Sequence, residues 1–284
     1  MICSICPRRC GAVRPGGFCG MGELPVVSRA APHFWEEPCI SGERGSGAVF
    51  FAGCNLRCAF CQNYEISALR QGREISVSRL REIFAELIDQ GVHNLDLVTG
   101  SHFIPAIREA LDPQPSVPVI WNSGGYDAVP ALRSLEGKIQ VYLPDMKYSD
   151  APLAERLSAA PDYPAAARAA IREMFRQTGP YELDDAGMLI RGVMIRHLVL
   201  PGELDNTFGV LDWIAETFRA GDVLVSLMGQ YTPNGRGGPD RRLTEEEYAR
   251  AADYMAALGL LEGYTQELSS AETEFTPPFD GTGV

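Results

Sequence analysis

The chain has 284 residues and 45% apolar content, enough to bury one large domain, alone or with a small module. Twenty-five basic against thirty-seven acidic residues give a net charge of −12 without any basic stripe, so nucleic acid is not an expected partner. There is no apolar run of about eighteen residues and no secretory leader pattern, so neither a membrane partner nor a secreted, disulfide-stapled protein is expected.

Four of the eight cysteines come first, Cys3, Cys6, Cys10 and Cys19, at C-x2-C-x3-C-x8-C spacing among Pro7, Gly11, Pro15, Gly16, Gly17 and Gly20. Clustered spacing in a chain of this length favours metal in a reducing cytoplasm over disulfides. Residues 1–45 hold too little apolar material to fold alone, so they read as a cysteine-rich metal-binding segment, with residues 46–284 as the main domain. The four thiolates suit either tetrahedral Zn²⁺ or a second 4Fe–4S cluster, and the spacing does not separate the two. Arg8 and Arg9 could offset thiolate charge in either case. Cys39 reads as a small buried hydrophobe.

Ala48–Ala52 is a short apolar run that predicts a buried strand. It leads into Cys54, Cys58 and Cys61, a C-x3-C-x2-C loop at the strand's C-terminal end, the edge that carries active sites in parallel α/β folds. Three thiolates can hold three irons of a 4Fe–4S cubane and leave the fourth open to a small molecule. Ser78–Gln90 predicts an amphipathic helix with Leu80, Ile83, Phe84, Leu87 and Ile88 on one stripe, capped by Ser78 and ended by Gly91. Further strands are expected at 94–99, 118–121, 139–143, 193–200 and 223–227, with helices at 104–111, 128–135 and 206–218 between them. A helical region at 151–177 is broken near Pro161–Pro164, and Asp150 caps its start. Thr244 and Glu247 form a capping box that opens a helix to about Leu258. Residues 244–284 carry −8 of the net charge, which reads as a solvated face and tail. Six strand–helix units argue an α/β fold with a parallel sheet and outer helices, and a doubly wound sheet fits that pattern as well.

Cys54, Cys58 and Cys61, with Phe60 before the last, resemble the signature of the radical S-adenosylmethionine (SAM) superfamily. The flanks Ser41–Gly47 and Gln62–Ser67 resemble its uncharacterised branch related to pyruvate formate-lyase activating enzymes. The resemblance covers most of residues 33–240 and implies a partial (β/α)6 TIM-like barrel of the radical SAM type, with the small N-terminal cysteine-rich segment added. It implies a 4Fe–4S cluster on the three cysteines, SAM on the open iron, and a reductant such as flavodoxin or ferredoxin. One electron would then release methionine and a 5′-deoxyadenosyl radical, which takes hydrogen from a protein, peptide or small-molecule substrate.

The same resemblance assigns residues at the strand ends. His102 stands where many members carry an acid for the SAM amino group, and could serve only as a neutral ring. Asn122 and Ser123 stand where activating enzymes hold SAM and a monovalent cation. Asp145 and Lys147 look like an Asp-x-Lys motif, with Lys147 on the SAM carboxylate and Asp145 lining the pocket. Arg196 would reach the ribose or carboxylate and Leu198 would pack on adenine. Gln230 replaces a histidine that often contacts adenosine. The competing class is a non-enzymatic iron–sulfur or zinc-binding scaffold. It explains eight cysteines but not the polar strand ends, and SAM turnover separates the two.

Overall fold

A computed structural model of the protein describes residues 2–266, 268 and 276–284. Its strands are β1 Val26–His33, β2 Ser46–Phe51, β3 Arg73–Glu74, β4 Leu95–Val98, β5 Val119–Ser123, β6 Val141–Pro144, β7 Glu182–Leu183, β8 Leu189–Leu198, β9 Leu224–Met228 and β10 Gly263–Thr265. They form one sheet in the order β10-β9-β8-β6-β5-β4-β2-β1-β3, with β7 paired to β8. From β2 through β10 the neighbours in that order are parallel, while β1, β3 and β7 pair antiparallel. The helices are α1 Pro38–Ser41, α2 Tyr64–Ser67, α3 Val77–Asp89, α4 Ile104–Ala110, α5 Val129–Arg133, α6 Ala151–Ser158, α7 Tyr163–Thr178, α8 Leu204–Thr217 and α9 Glu245–Ala257. The architecture is the mostly parallel partial barrel expected, with the six anticipated strands extended by β10 at one edge and by β1 and β3 at the other.

Strand alternation sorts the sheet into two faces. Val49, Leu97, Trp121, Tyr142, Ile195 and Val225 face the large core that also takes Leu80, Ile83, Phe84 and Leu87 of α3. Ile120, Val141, Leu143, Met194 and Leu224 point the other way, into the concave side. There they meet Cys39 and Ile40 of α1, so this short helix plugs the barrel floor. Cys39 is 3% exposed, the small buried hydrophobe expected of it. Asn94 ties the plug in place, donating to Ile40 O at 2.8 Å and accepting from Ser46 Oγ at 2.5 Å. β1 and α1 both come from within residues 1–45, so part of that segment builds the sheet and its floor.

The capping chemistry follows the sequence with one change. Thr244 and Glu247 make the reciprocal capping box, and Asp150 accepts from Leu153 N at 2.9 Å. The cap of α3 is Ser76 rather than Ser78, because the chain arrives extended at Ser76 and its hydroxyl accepts from Arg79 N at 3.1 Å. The break near Pro161–Pro164 separates α6 from α7 as read.

His197 on β8 joins the layers from the convex side. It is wholly buried; Nδ1–H donates to Met146 O at 2.6 Å and Nε2 accepts from Thr207 Oγ1 of α8 at 2.9 Å. Burial lowers its pKa to about 4, so the ring is neutral. The unfolded ring takes its proton near pH 6.5, the folded one only near pH 4. The stability that His197 contributes is therefore complete above pH 6.5 and falls as pH drops toward 4, by up to roughly 3 kcal/mol. Urea unfolding at pH 7 and pH 4.5 should show a shallower acid decline in His197→Gln than in wild type. Equal declines would refute this account.

Candidate cofactor site

The C-terminal ends of the parallel strands surround a cleft of about 260 Å³. Cys54, Cys58 and Cys61 line one side, on the loop that follows β2. Gly53 begins that loop with φ +78°, and a Cβ there would sit 2.5 Å from Met21 Cγ, so the turn needs glycine. Leu56 N donates to Cys54 Sγ at 3.3 Å, and Cys61 Sγ lies 3.2 Å from Ser67 Oγ. Burial raises the Cys54 thiol and pushes Cys61 up to about 12, and in both cases Cys58 adds to the effect. Cys58 thus lies close enough to Cys54 and Cys61 to oppose the ionisation of both. A cationic cluster would reverse that penalty, since metal binding deprotonates its ligands.

The opposite side carries the predicted strand-end residues Asn122, Ser123, Asp145, Lys147, Arg196, Leu198 and Gln230, all in the cleft wall. Asn122, Asp145 and Arg196 share the concave face by strand parity, one layer above Ile120, Leu143 and Met194. Lys147 Nζ meets Asp145 Oδ2 at 2.5 Å. Asp145 Oδ1 accepts from Arg196 Nε at 3.1 Å. Arg196 Nη1 donates to Glu36 at 3.0 Å and Nη2 to Asn122 Oδ1 at 2.5 Å. Asn122 in turn donates to Asp96 Oδ2 at 3.1 Å. Burial alone would raise Asp145, but Lys147 and Arg196 outweigh it and hold the carboxylate below its usual range. Lys147 is desolvated too, and Asp145 with the thiols of Cys58 and Cys61 keeps it cationic.

Glu36, Glu37 and Asp96 are part of this floor and were not singled out from the sequence. Burial raises all three, with Arg196 opposing in each case. Asp96 Oδ1 and Glu37 Oε2 are buried without a hydrogen-bond partner among the described residues. The available signal was an acid inside the apolar strand Asn94–Val98. Tyr163 was also missed. From α7, its hydroxyl donates between Gly124 O and Asp145 O at 2.9 and 2.8 Å, and accepts from Lys147 N at 2.9 Å. Gly125, at φ +73°, allows this closeness, because a Cβ would stand 2.1 Å from Asp145 O.

His102 does not reach the cleft. It is 3% exposed, behind Gly53, and Nε2–H donates to Ala52 O at 2.8 Å. Burial lowers it to about 4. The ring turns inward because the short helical turn at Ser101–Phe103 packs it on Phe103, leaving Thr99 and Ser101 in the wall. Arg196 likewise departs from the expectation of a free SAM contact, since every guanidinium nitrogen already has a partner in the floor. Ser123 is in the wall with its hydroxyl donated to Asp127 at 2.6 Å.

The N-terminal cysteines stand apart from this cleft. Burial pushes Cys6 up to about 11, with Cys19, Cys3 and Cys10 adding to the effect, so the four are neighbours. Among the described residues no group of three or more His, Cys, Asp or Glu side chains, Cys54, Cys58 and Cys61 included, is already set to hold a metal ion. The geometry therefore gives no support to a second cluster or zinc ion at Cys3, Cys6, Cys10 and Cys19.

Comparison with known proteins agrees with the fold. The profile of the radical SAM superfamily matches residues 48–113, from β2 through the cysteine loop to α4. The uncharacterized protein MJ0674 of Methanocaldococcus jannaschii is 30% identical over 268 residues, covering 88% of this chain and 73% of that protein. The chain belongs to the radical SAM superfamily, whose members bind SAM and a 4Fe–4S cluster. Streptococcus suis SuiB bound to S-adenosylmethionine shares the fold, with a TM-score of 0.51 at 14% identity over 80% of this chain. A second SuiB structure gives 0.50 at 12% identity over 77% of this chain. The chain spans about half the length of these solved structures, 51% and 48%.

The floor predicts the cost of removing its hub. Arg196→Met would leave the half-buried carboxyls of Asp145 and Glu36 without their guanidinium, at a cost of about 1–3 kcal/mol at pH 7. Orphaned carboxyls hold protons more tightly in the folded than in the unfolded state, so the deficit should narrow from pH 7 to pH 5. Urea unfolding at the two pH values measures it. A deficit below about 1 kcal/mol would show that Arg196 is not the hub.

Proposed function

We propose that this protein binds a 4Fe–4S cluster through Cys54, Cys58 and Cys61, binds SAM beside it, and is a radical enzyme. One observation carries the reading: three thiols and a paired lysine, Lys147, line the same cleft at the strand ends. Held by Cys54, Cys58 and Cys61, the reduced cluster would supply one electron to the SAM sulfonium, breaking its C5′–S bond with loss of methionine, and the 5′-deoxyadenosyl radical so released would take a hydrogen atom from the substrate.

The chain's own residues then divide the work of binding and exclusion. Lys147 offers a cation to the SAM carboxylate while Asp145 fixes its direction. Asn122 and Ser123 put short polar side chains beside it, and Leu198 puts an apolar one. Arg196 and Glu36 set the floor rather than touching SAM. The Asp145-x-Lys147 motif and the resemblance of the flanks Ser41–Gly47 and Gln62–Ser67 to the activating-enzyme branch support an activating-enzyme-like oxidoreductase. Its substrate would then be a glycine on a partner protein, and a flavodoxin or ferredoxin in the cytoplasm would supply the electron.

Anaerobically reconstituted, dithionite-reduced protein should form 5′-deoxyadenosine from SAM. Replacing Cys54, Cys58 and Cys61 together with Ala should abolish both that product and the EPR signal of the SAM cluster. Product formation by the triple variant would end the proposal.

Lys147→Ala should weaken SAM binding by about 1.5–3 kcal/mol, the loss of a charge-assisted hydrogen bond. Equilibrium dialysis with labelled SAM measures it, and an unchanged Kd would make Lys147 a structural partner of Asp145 only.

A further inference from the structure

Arg8 lies in the cysteine-rich segment, between Cys6 and Cys10, yet its guanidinium is spent elsewhere. Nε donates to Asn55 O at 2.8 Å, and Nη2 donates to Leu56 O at 3.3 Å and Ser158 O at 2.7 Å. Nη1 donates to Ala159 O. Asn55 and Leu56 are the residues immediately after Cys54 in the loop that lines the cleft. Ser158 and Ala159 end α6, where Ala159 takes a left-handed φ of +47° and leaves late carbonyls to be satisfied. The guanidinium lies 4.0 Å from the Phe18 ring centroid and 5.4 Å from that of Tyr126. Asn55 Nδ2 donates to Tyr126 O at 2.6 Å, and Ala59 N to Leu157 O at 2.8 Å, so the same loop is also tied to the β5 end and to α6. Arg57, between Cys54 and Cys58, completes the exchange by donating to Phe18 O and lying over the Phe18 ring.

We propose that Arg8 is a positioning residue for the cluster loop, and that the N-terminal cysteine segment acts as the clamp that delivers it. The physical basis is the planar fork. It presents five N–H donors in fixed directions, so one side chain can hold carbonyls of two separate segments at a set distance. Lysine carries the same charge on a flexible stem and cannot reproduce that geometry. This inference rests on the cluster reading above, but part of its test needs no cluster.

The experiment uses the full chain as wild type, Arg8→Ala, Arg8→Lys and Arg9→Ala. Arg9 is the exposed neighbouring base whose side chain takes part in none of these bonds. In metal-free, reduced protein, iodoacetamide alkylation of each cysteine is followed by mass spectrometry. Both Arg8 variants should speed alkylation of Cys54, Cys58 and Cys61 by about tenfold, the effect of one lost charge-assisted hydrogen bond. Cys39, buried in the barrel floor, should keep its wild-type rate, and Arg9→Ala should match wild type throughout. In reconstituted, dithionite-reduced protein the same Arg8 variants should alter the EPR line shape of the cluster, a signature that a general loss of stability would not move. If Arg8→Ala also exposes Cys39, the result is read from Arg8→Lys. Unchanged loop rates, an unchanged EPR signal, or a Cys39 rate that rises with the loop in Arg8→Lys each overturn the proposal. If wild type binds no cluster, the proposed function fails, and the thiol rates alone decide the role of Arg8.

Discussion

Arg196 donates to three acceptors at once, one from each guanidinium nitrogen, and the cleft floor depends on that arrangement. Its partners come from the loop after β6, from β5, and from the segment between β1 and β2. A buried guanidinium stays charged, so the acceptors must be present and correctly placed for the site to be dry. Asp145 is held ionised between Arg196 and Lys147, and this fixes the lysine near the thiols. Four carboxyl groups, Glu36, Glu37, Asp96 and Asp145, share two cations here. Burial raises three of them, and the fourth, between both cations, is lowered. Asp145, between Arg196 and Lys147, is thus the carboxyl of the four that the cations hold below its usual range.

The surrounding fold covers this arrangement from below and from the sides, leaving it open only to the cleft. α1 fills the barrel below, with Cys39 and Ile40 against Ile120, Val141 and Met194. Tyr163 and Asn206 grip the loop after β6 from the helical layer, Asn206 accepting from Ser149 N at 2.7 Å and donating to Lys147 O at 3.0 Å. The strand ends are held from the convex side, so the concave side chains are free to face the cleft. Low local polarity then strengthens each remaining charge interaction.

The cysteine loop is braced separately. Its main-chain carbonyls are taken by Arg8, and its turns require a glycine at Gly53 and a left-handed residue at Arg57, φ +56°. Loop and strand-end wall thus have different main supports, the N-terminal segment for one and the helices for the other, and they are joined where Asn55 donates to Tyr126 O and Ala59 to Leu157 O.

Much of this was legible in the chain. Apolar runs flanked by glycine located the six parallel strands, because strands buried on both faces need continuous apolar residues. Spacing located Cys54, Cys58 and Cys61, since three ligands on one loop require near neighbours in sequence. The resemblance to the radical SAM superfamily, not polarity alone, singled out Asn122, Asp145, Lys147 and Arg196 at the strand ends. Other features were hidden for physical reasons. β1 carries Pro32 and pairs antiparallel at the edge, so it lacks the pattern of a central strand. Glu36 sits in an irregular segment with no periodicity to reveal that it turns inward. His102 read as a ligand because the sequence shows its position after a strand but not the direction of its ring. The sequence determined where the strands end and which cysteines and polar residues stand there, because both are local properties. Only tertiary structure decided which side chains meet, because Arg8 to Asn55, Glu36 to Arg196 and Tyr163 to Asp145 are contacts between segments distant in the chain.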